Sequence, residues 1–312
     1  MTLDPQAQAL LDKVEQSGIP AYETMAPEVA RKFYDKACEI ARGEPPAPFA
    51  VEDISLPGPA GDLTARCYRS SGQTDLPILM FFHGGGYTIG SLDSHDAVCR
   101  HLCIEADCLV VAIDYRLAPE HKFPAAIEDA YAATCWVAEH ASDLGGDSSR
   151  IAVAGDSAGG NLSAVTCLKA REAGYPDICY QVLIYPGTDM TESFPSHRDF
   201  GEGYLLTSSL IDWFHNNYLP ENVDPRDWHG SPLHAPDHTG LPAAHVITAG
   251  YDPLQDEGKA YAEKLTASGV PVSYKHYEGM LHGFITQPGF IDKSREALLE
   301  CSSNLKLIFY PG

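Results

Sequence analysis

The pentapeptide Gly155-Asp156-Ser157-Ala158-Gly159 sets a serine between two glycines, each two residues away. A short apolar run, Ile151-Ala-Val-Ala154, precedes it, and residues 158–173 carry a helical pattern. A serine on so sharp a strand-to-helix turn is held at strained backbone angles, and the glycines let strand and helix approach. The helix N-terminus behind it favours nearby negative charge. This is the setting of a nucleophile that attacks a carbonyl carbon. The plain alternative is an idle serine in a Gly-rich turn, and a second motif argues against it. His83-Gly84-Gly85-Gly86 follows the apolar run Ile78-Leu-Met-Phe-Phe82. Three glycines free the backbone to aim its N–H groups at one point. The tetrahedral intermediate of acyl transfer needs such donors, each worth about 3–4 kcal/mol. The expected oxyanion donors are the N–H groups of Gly84 and Gly85, joined by Ala158 from the serine turn. A phosphate-binding loop would want a Lys or a complete GxGxxG, and neither is present. His83 reads as a brace of its loop rather than as a base.

These motifs need strands and helices to position them. β-rich runs occur at 51–56, 63–69, 77–82, 108–113, 150–154, 179–185, 244–249 and 272–277. From the third run onward most gaps hold a helical segment: 94–106, 124–141, 158–173, 256–268 and finally 290–308. Alternation with continuously apolar strands predicts a mostly parallel sheet covered on both faces. The first two runs have no helix between them and should form an antiparallel edge. The fold class is α/β, and with the serine turn and the glycine loop it is the α/β-hydrolase fold. Residues 4–43 read as a helical preface, with Asp4 as N-cap, Pro5 at the first position and Gly18 as a stop. A second helix over 27–42 has apolar residues at Val29, Phe33, Ala37 and Ile40, and a Pro-rich linker, 44–48, follows. The stretch 186–243 interrupts the alternation, with one helical piece near 208–218. The organisation expected is a helical part of a cap over 1–45 and a catalytic domain over 46–312, with 186–230 contributing to the cap.

That fold orders its triad as serine, acid, histidine, each on a loop after a strand. The run ending at Ala249 is followed by Gly250-Tyr251-Asp252-Pro253, and the run ending at Tyr277 by Glu278-Gly-Met-Leu-His282-Gly283. Asp252 and His282 are therefore the acid and the base. Asp256 and Glu257 read as first-turn helix acids favoured by the dipole. His276 falls inside a strand. His229, His234, His238 and His245 lack the spacing of a metal site, so no metal is expected. His282 would take the Ser157 proton, the oxyanion donors would hold the intermediate, and Asp252 would fix the imidazole tautomer.

Composition narrows the partners. Asp and Glu number 43 against 21 Lys and Arg, a formal charge of −22, which repels nucleic acid and anionic membranes. No apolar run approaches the roughly 20 residues of a membrane span, and no signal segment opens the chain. Nine cysteines without a CxxC pair read as reduced thiols, so a cytoplasmic protein acting on a neutral small molecule is expected. Cys99 and Cys103 read as two small hydrophobes on one helix.

The segments HGGGYTIGSLDSHD (83–96), DYRLAPEHKFPAAIED (114–129), GDSAGGNL (155–162), AGYDPLQDEG (249–258) and HGF (282–284) resemble the bacterial hormone-sensitive-lipase-like esterases, often called family IV. The resemblance covers roughly residues 50–312. It implies a carboxylesterase acting on short to medium acyl esters, without a cofactor and with a cap over the pocket. It also implies an eight-stranded sheet whose second strand is antiparallel, and a homodimer through the last strand, residues 272–278. The family's usual Phe or Trp after HGGG is Tyr87 here, which bears on the alcohol side of the pocket. With the 27–42 helix packed over the strands' C-terminal ends, Phe33 and Tyr34 would line the entrance, joined by Tyr204, Leu205 and Phe214. A binding protein on this fold would have lost a triad member, and here all three are present. Amide, lactone or carbamate cleavage shares the tetrahedral path and is left open by these residues.

Overall fold

A computed structural model of the chain describes residues 2–311; Met1 and Gly312, the ends of the two segments delimited above, lie outside the described residues. Eight strands form one sheet in the order β1-β2-β4-β3-β5-β6-β7-β8. They are β1 (Ala50–Gly58), β2 (Gly61–Arg69), β3 (Leu76–Phe82), β4 (Leu109–Asp114), β5 (Gly146–Asp156), β6 (Ile178–Ile184), β7 (Ala243–Tyr251) and β8 (Val272–Leu281). β2 runs antiparallel to β1 and β4, and all other pairs are parallel, as expected for an antiparallel edge on a parallel sheet. The continuous apolar runs are explained by burial on both faces. In β3, Ile78, Met80 and Phe82 face one core while Leu79 and Phe81 face the other. Helices α4 (Ala125–Glu139), α5 (Ala158–Ala173) and α8 (Gln255–Ala267) cover the first face. Helices α3 (Asp96–Ala106) and α9 (Asp292–Phe309) cover the second.

The preface folds as two helices, α1 (Pro5–Ser17) and α2 (Pro27–Ala41). Asp4 caps α1 by accepting the Gln6 N–H at 2.8 Å, and Gly18 ends it in the left-handed region at φ 64°. The insertion after β6 supplies α6 (Pro195–Asp199) and α7 (Ser208–Tyr218).

Two expectations need correction. The helical period of α2 calls for a buried apolar stripe, yet Val29, Phe33 and Ile40 are 43, 39 and 62% exposed. The buried face is Ala30, Cys38 and Ala41, whose small side chains let the helix lie close to the loops below. The apolar stripe instead faces an open cavity, where Phe33, Ala37 and Ile40 are lining residues. The last strand also runs on to Leu281 rather than stopping at Tyr277, because β7 and β8 approach closely where Gly250 passes Glu278. A Cβ at Gly250 would collide with the Glu278 carbonyl, so glycine permits this approach.

Candidate active site

Ser157 sits between β5 and α5 at φ 56°, ψ −117°, a conformation a non-glycine residue adopts only under constraint. A Cβ at Gly155 would strike the Gly159 carbonyl, and one at Gly159 would strike the Phe82 carbonyl. The two glycines are thus what allow the turn. The convergence of β7 and β8 delivers the other two groups. Asp252 directly follows β7 and His282 directly follows β8, and the carboxylate Oδ2 lies 2.8 Å from His282 Nδ1. His282 Nε2 lies 2.9 Å from Ser157 Oγ. Asp252 is fully buried, and its second oxygen accepts the Leu254 N–H at 2.8 Å. The expected serine, acid and base therefore stand in one hydrogen-bonded line, while Asp256 turns away to accept the Ser196 N–H at 3.0 Å.

The glycine loop overturns one expected donor. The Gly84 N–H donates to Asp156 Oδ1 at 2.9 Å, so it is not aimed at the cavity. A buried carboxylate requires donors, and Asp156 takes this one together with His95 Nε2 at 3.0 Å. Burial alone would raise the Asp156 carboxyl, but His95 and the Gly84 N–H hold it below the usual carboxylate range. Gly85 and Gly86, at φ 116° and 57°, line the cavity with Ala158. Among the described residues their N–H groups find no protein acceptor. The donor set open to a ligand is thus Gly85, Gly86 and Ala158. His83 does brace the loop: Nδ1 bonds its neighbour's carbonyl at 2.8 Å, and the ring stacks on Tyr115. Burial, then the nearby His95, lowers the His83 imidazole to about 3.

A cavity of about 960 Å³ opens over Ser157 and His282. Phe33, Tyr34, Tyr87, Tyr204, Leu205 and Phe214 all line it. Tyr87 stacks on Tyr218 at 3.8 Å between centroids, and the Phe214 ring covers Gly86 so closely that a Cβ there would collide with it. Cys38 also lines the cavity, but burial pushes its thiol up to about 12, so it stays protonated and is no rival nucleophile. The four histidines near residue 240 go to separate partners: His229 to Asp227, His234 to Asp189, His238 to the Pro232 carbonyl and His245 to Ser273.

The model of a family described as alpha/beta hydrolase fold matches residues 79–286. The carboxylic ester hydrolase LipN of Mycobacterium tuberculosis is 49% identical over 291 residues, 91% of this chain and 77% of that protein. An ethyl acetate hydrolase of Pseudomonas putida is 37% identical, covering 96% of this chain and 97% of its own. The solved structure of an ester hydrolase from the Lake Arreo metagenome superposes with TM-score 0.96 at 42% identity, over 99% of both chains. The chain belongs to the hormone-sensitive-lipase-like carboxylesterases of the α/β-hydrolase fold.

Within this carboxylesterase, two buried pairs escaped the sequence reading. Asp156 is the first unspecified residue of the G-x-S-x-G motif, and its partner His95 is far away in the chain. Glu257 is, as expected, an acid in the first turn of α8, and it is also buried in the core. It accepts the N–H groups of Thr188 and Asp189 at 2.6 and 3.1 Å and pairs with His197 Nε2 at 2.8 Å. A carboxylate beside the nucleophile was the one signal for the first pair; the second left none, because a first-turn Glu is ordinary on any helix.

Proposed function

We propose that Ser157 is the nucleophile, His282 the general base and acid, and Asp252 the residue that orients the imidazole. The observation that carries this reading is the Ser157–His282–Asp252 line, at 2.9 and 2.8 Å, on the floor of a cavity edged by the free N–H groups of Gly85 and Gly86. His282 accepts the hydroxyl proton as Ser157 Oγ attacks the ester carbonyl. The charge that develops on the carbonyl oxygen is met by the N–H groups of Gly85, Gly86 and Ala158. His282 then protonates the leaving alcohol, and water repeats the cycle on the acyl-enzyme. The substrates are short to medium acyl esters, admitted under a cap made by residues 1–45 and 186–230. Support for the cap is that α1, α2 and α7 all contribute to the cavity wall. A fluorophosphonate probe should label Ser157 alone, and a panel of acetate to laurate esters should peak at short to medium length. Labelling elsewhere would end the assignment.

Two further parts of the reading concern the protein's surroundings. Among the described residues no helix is long and apolar enough to cross a membrane. All nine cysteines are free, which favours a reducing, cytoplasmic compartment. Among the described residues the outer edge of β8 pairs with no strand, and its Tyr274 is 39% exposed, which supports a homodimer through residues 272–278. Sedimentation showing only monomer at working concentration would overturn the dimer.

A further inference from the structure

Helix α2 carries two polar side chains one turn apart, Arg31 and Asp35, and both reach the segment that holds the oxyanion glycines. Arg31 Nε donates to the Thr88 carbonyl at 2.8 Å and Nη2 to the Ala118 carbonyl at 2.8 Å. The same guanidinium closes on Glu120, with Nη1 and Nη2 at 2.9 and 2.6 Å from its two oxygens. This pairing holds the Glu120 carboxyl below its ordinary range. The Ala118 N–H donates to the Tyr87 carbonyl at 2.8 Å, so Arg31 staples two loops already joined through their backbones.

One turn on, Asp35 Oδ1 accepts the Ser91 hydroxyl at 2.8 Å. Ser91 Oγ in turn accepts the N–H groups of Asp93 and Ser94 at 3.2 and 3.1 Å. Ser94 Oγ meets His95 Nδ1 at 2.8 Å, and His95 Nε2 reaches the Asp156 oxygen that accepts the Gly84 N–H. Two lines of hydrogen bonds therefore run from α2 to the glycine loop. One ends at Thr88, beyond Gly86; the other ends at Gly84, before Gly85.

Neither Arg31 nor Asp35 lines the cavity. Three consecutive glycines have more backbone freedom than any other tripeptide, so their N–H groups point where the flanking anchors hold them. An exposed ion pair such as Arg31–Glu120 adds little by itself. The two bonds to backbone carbonyls are what fix the loop. We infer that Arg31 and Asp35 are positioning residues that hold the Gly85 and Gly86 N–H groups on the oxyanion, making α2 a fixed strut of the oxyanion loop as well as a cover over the pocket. The inference rests on the serine-hydrolase reading above.

The test uses the full chain and the variants Arg31→Met, Arg31→Lys, Asp35→Ala and Asp35→Asn. Lys32→Met, an exposed neighbour on the same helix, controls for lost charge. The readouts are kcat and KM on acetate and octanoate esters, and the inhibition constant of a trifluoromethyl ketone. That ketone's carbon bonds to the serine oxygen as the serine proton passes to the histidine, leaving an oxyanion among the glycine N–H groups. Arg31→Met should lower kcat about 10- to 100-fold on both esters alike, with KM within about twofold and ketone affinity reduced by a similar factor to kcat. Arg31→Lys should recover part of the loss, since one ammonium cannot reach all the acceptors. Asp35→Ala should cost about 3- to 10-fold, and Asp35→Asn, which keeps the acceptor oxygen, should recover most of it. Lys32→Met should match the wild type. Wild-type kcat in Arg31→Met, or a fall in kcat with unchanged ketone affinity, would overturn the strut. If Arg31→Met does not fold, Arg31→Lys and Asp35→Ala decide by the same two readouts. Fluorophosphonate labelling of the wild type separates the failures: an unlabelled Ser157 sinks the hydrolase reading, whereas normal labelling beside indifferent Arg31 and Asp35 variants sinks this inference alone.

Discussion

Helices α5 and α2 border the same cavity and are held in opposite ways. α5, behind Ser157, buries 12 of its 16 residues, from Ala158 to Ala170. α2 buries only Ala30, Cys38 and Ala41, and leaves Phe33 and Ile40 open. The serine turn is thus held by close packing behind it, where a Cβ at Gly155 or Gly159 would meet backbone. α2 is immobilised by a few directed polar bonds on one face, while its other face stays free for substrate. Residues 31 and 35 and residues 33, 37 and 40 fall on different sides of one helix. On the proposed mechanism, packing suits the nucleophile, and a one-sided anchor suits a wall that meets the acyl chain.

Mutations can break or sharpen that contrast. The largest effect is expected at the packed end: Ser157→Ala should lower kcat by about 10⁶ while the protein stays folded, as nucleophile loss does in other triads. A rate near wild type would remove Ser157 from the mechanism. Asp252→Asn should cost about 10⁴ in kcat through the wrong imidazole tautomer. Asp256→Ala, which removes only the acceptor of the Ser196 N–H, should cost far less, and the reverse ranking would move the triad acid to Asp256.

At the α2 end the effects should be smaller and selective. Phe33→Ala and Ile40→Ala should change the octanoate-to-acetate ratio of kcat/KM a few-fold while leaving acetate turnover close to wild type, since each deletes apolar wall worth about 1–3 kcal/mol at most. An unchanged chain-length profile would show that the open stripe is not a substrate wall. The smallest effect concerns stability. Asp156 titrates below the usual carboxylate range in the folded protein, so it stabilises the fold above the ordinary Asp value of about 3.9. That contribution is lost as pH falls through the lower folded value. Asp156→Asn should therefore cost about 1–3 kcal/mol in urea unfolding at neutral pH, and the gap from wild type should narrow in strong acid. A constant gap would mean that the carboxylate's charge is not what stabilises the fold.

Much of this was legible in the chain because it depends on neighbours in sequence. The glycines at 155 and 159, the run His83–Gly86, and Gly18 and Gly250 all mark places where backbone must turn or approach closely, and the nearest residues reveal such places. The apolar runs of β3 to β7 state their burial directly, and the order serine, acid, histidine follows once the strands are counted. The direction of the Gly84 N–H was not legible, because its acceptor is a carboxylate 72 residues away. Glu257 looked like any helix-start acid until the fold brought the Thr188 backbone and the His197 imidazole against it. The α2 stripe satisfied a helical period, yet periodicity says only that one face differs from the other.

The sequence alone therefore determined where the chain turns, which strands are sandwiched between helices, and which three side chains lie just past the ends of β5, β7 and β8. Those properties come from sterics and burial summed over a few adjacent residues. Tertiary structure decided which glycine N–H groups remain free, which face of α2 meets the protein, and which buried carboxylates find donors. Each of these is a choice of partner across the fold. A polar group's partner depends on what the topology brings within about 3 Å, a distance no local pattern encodes.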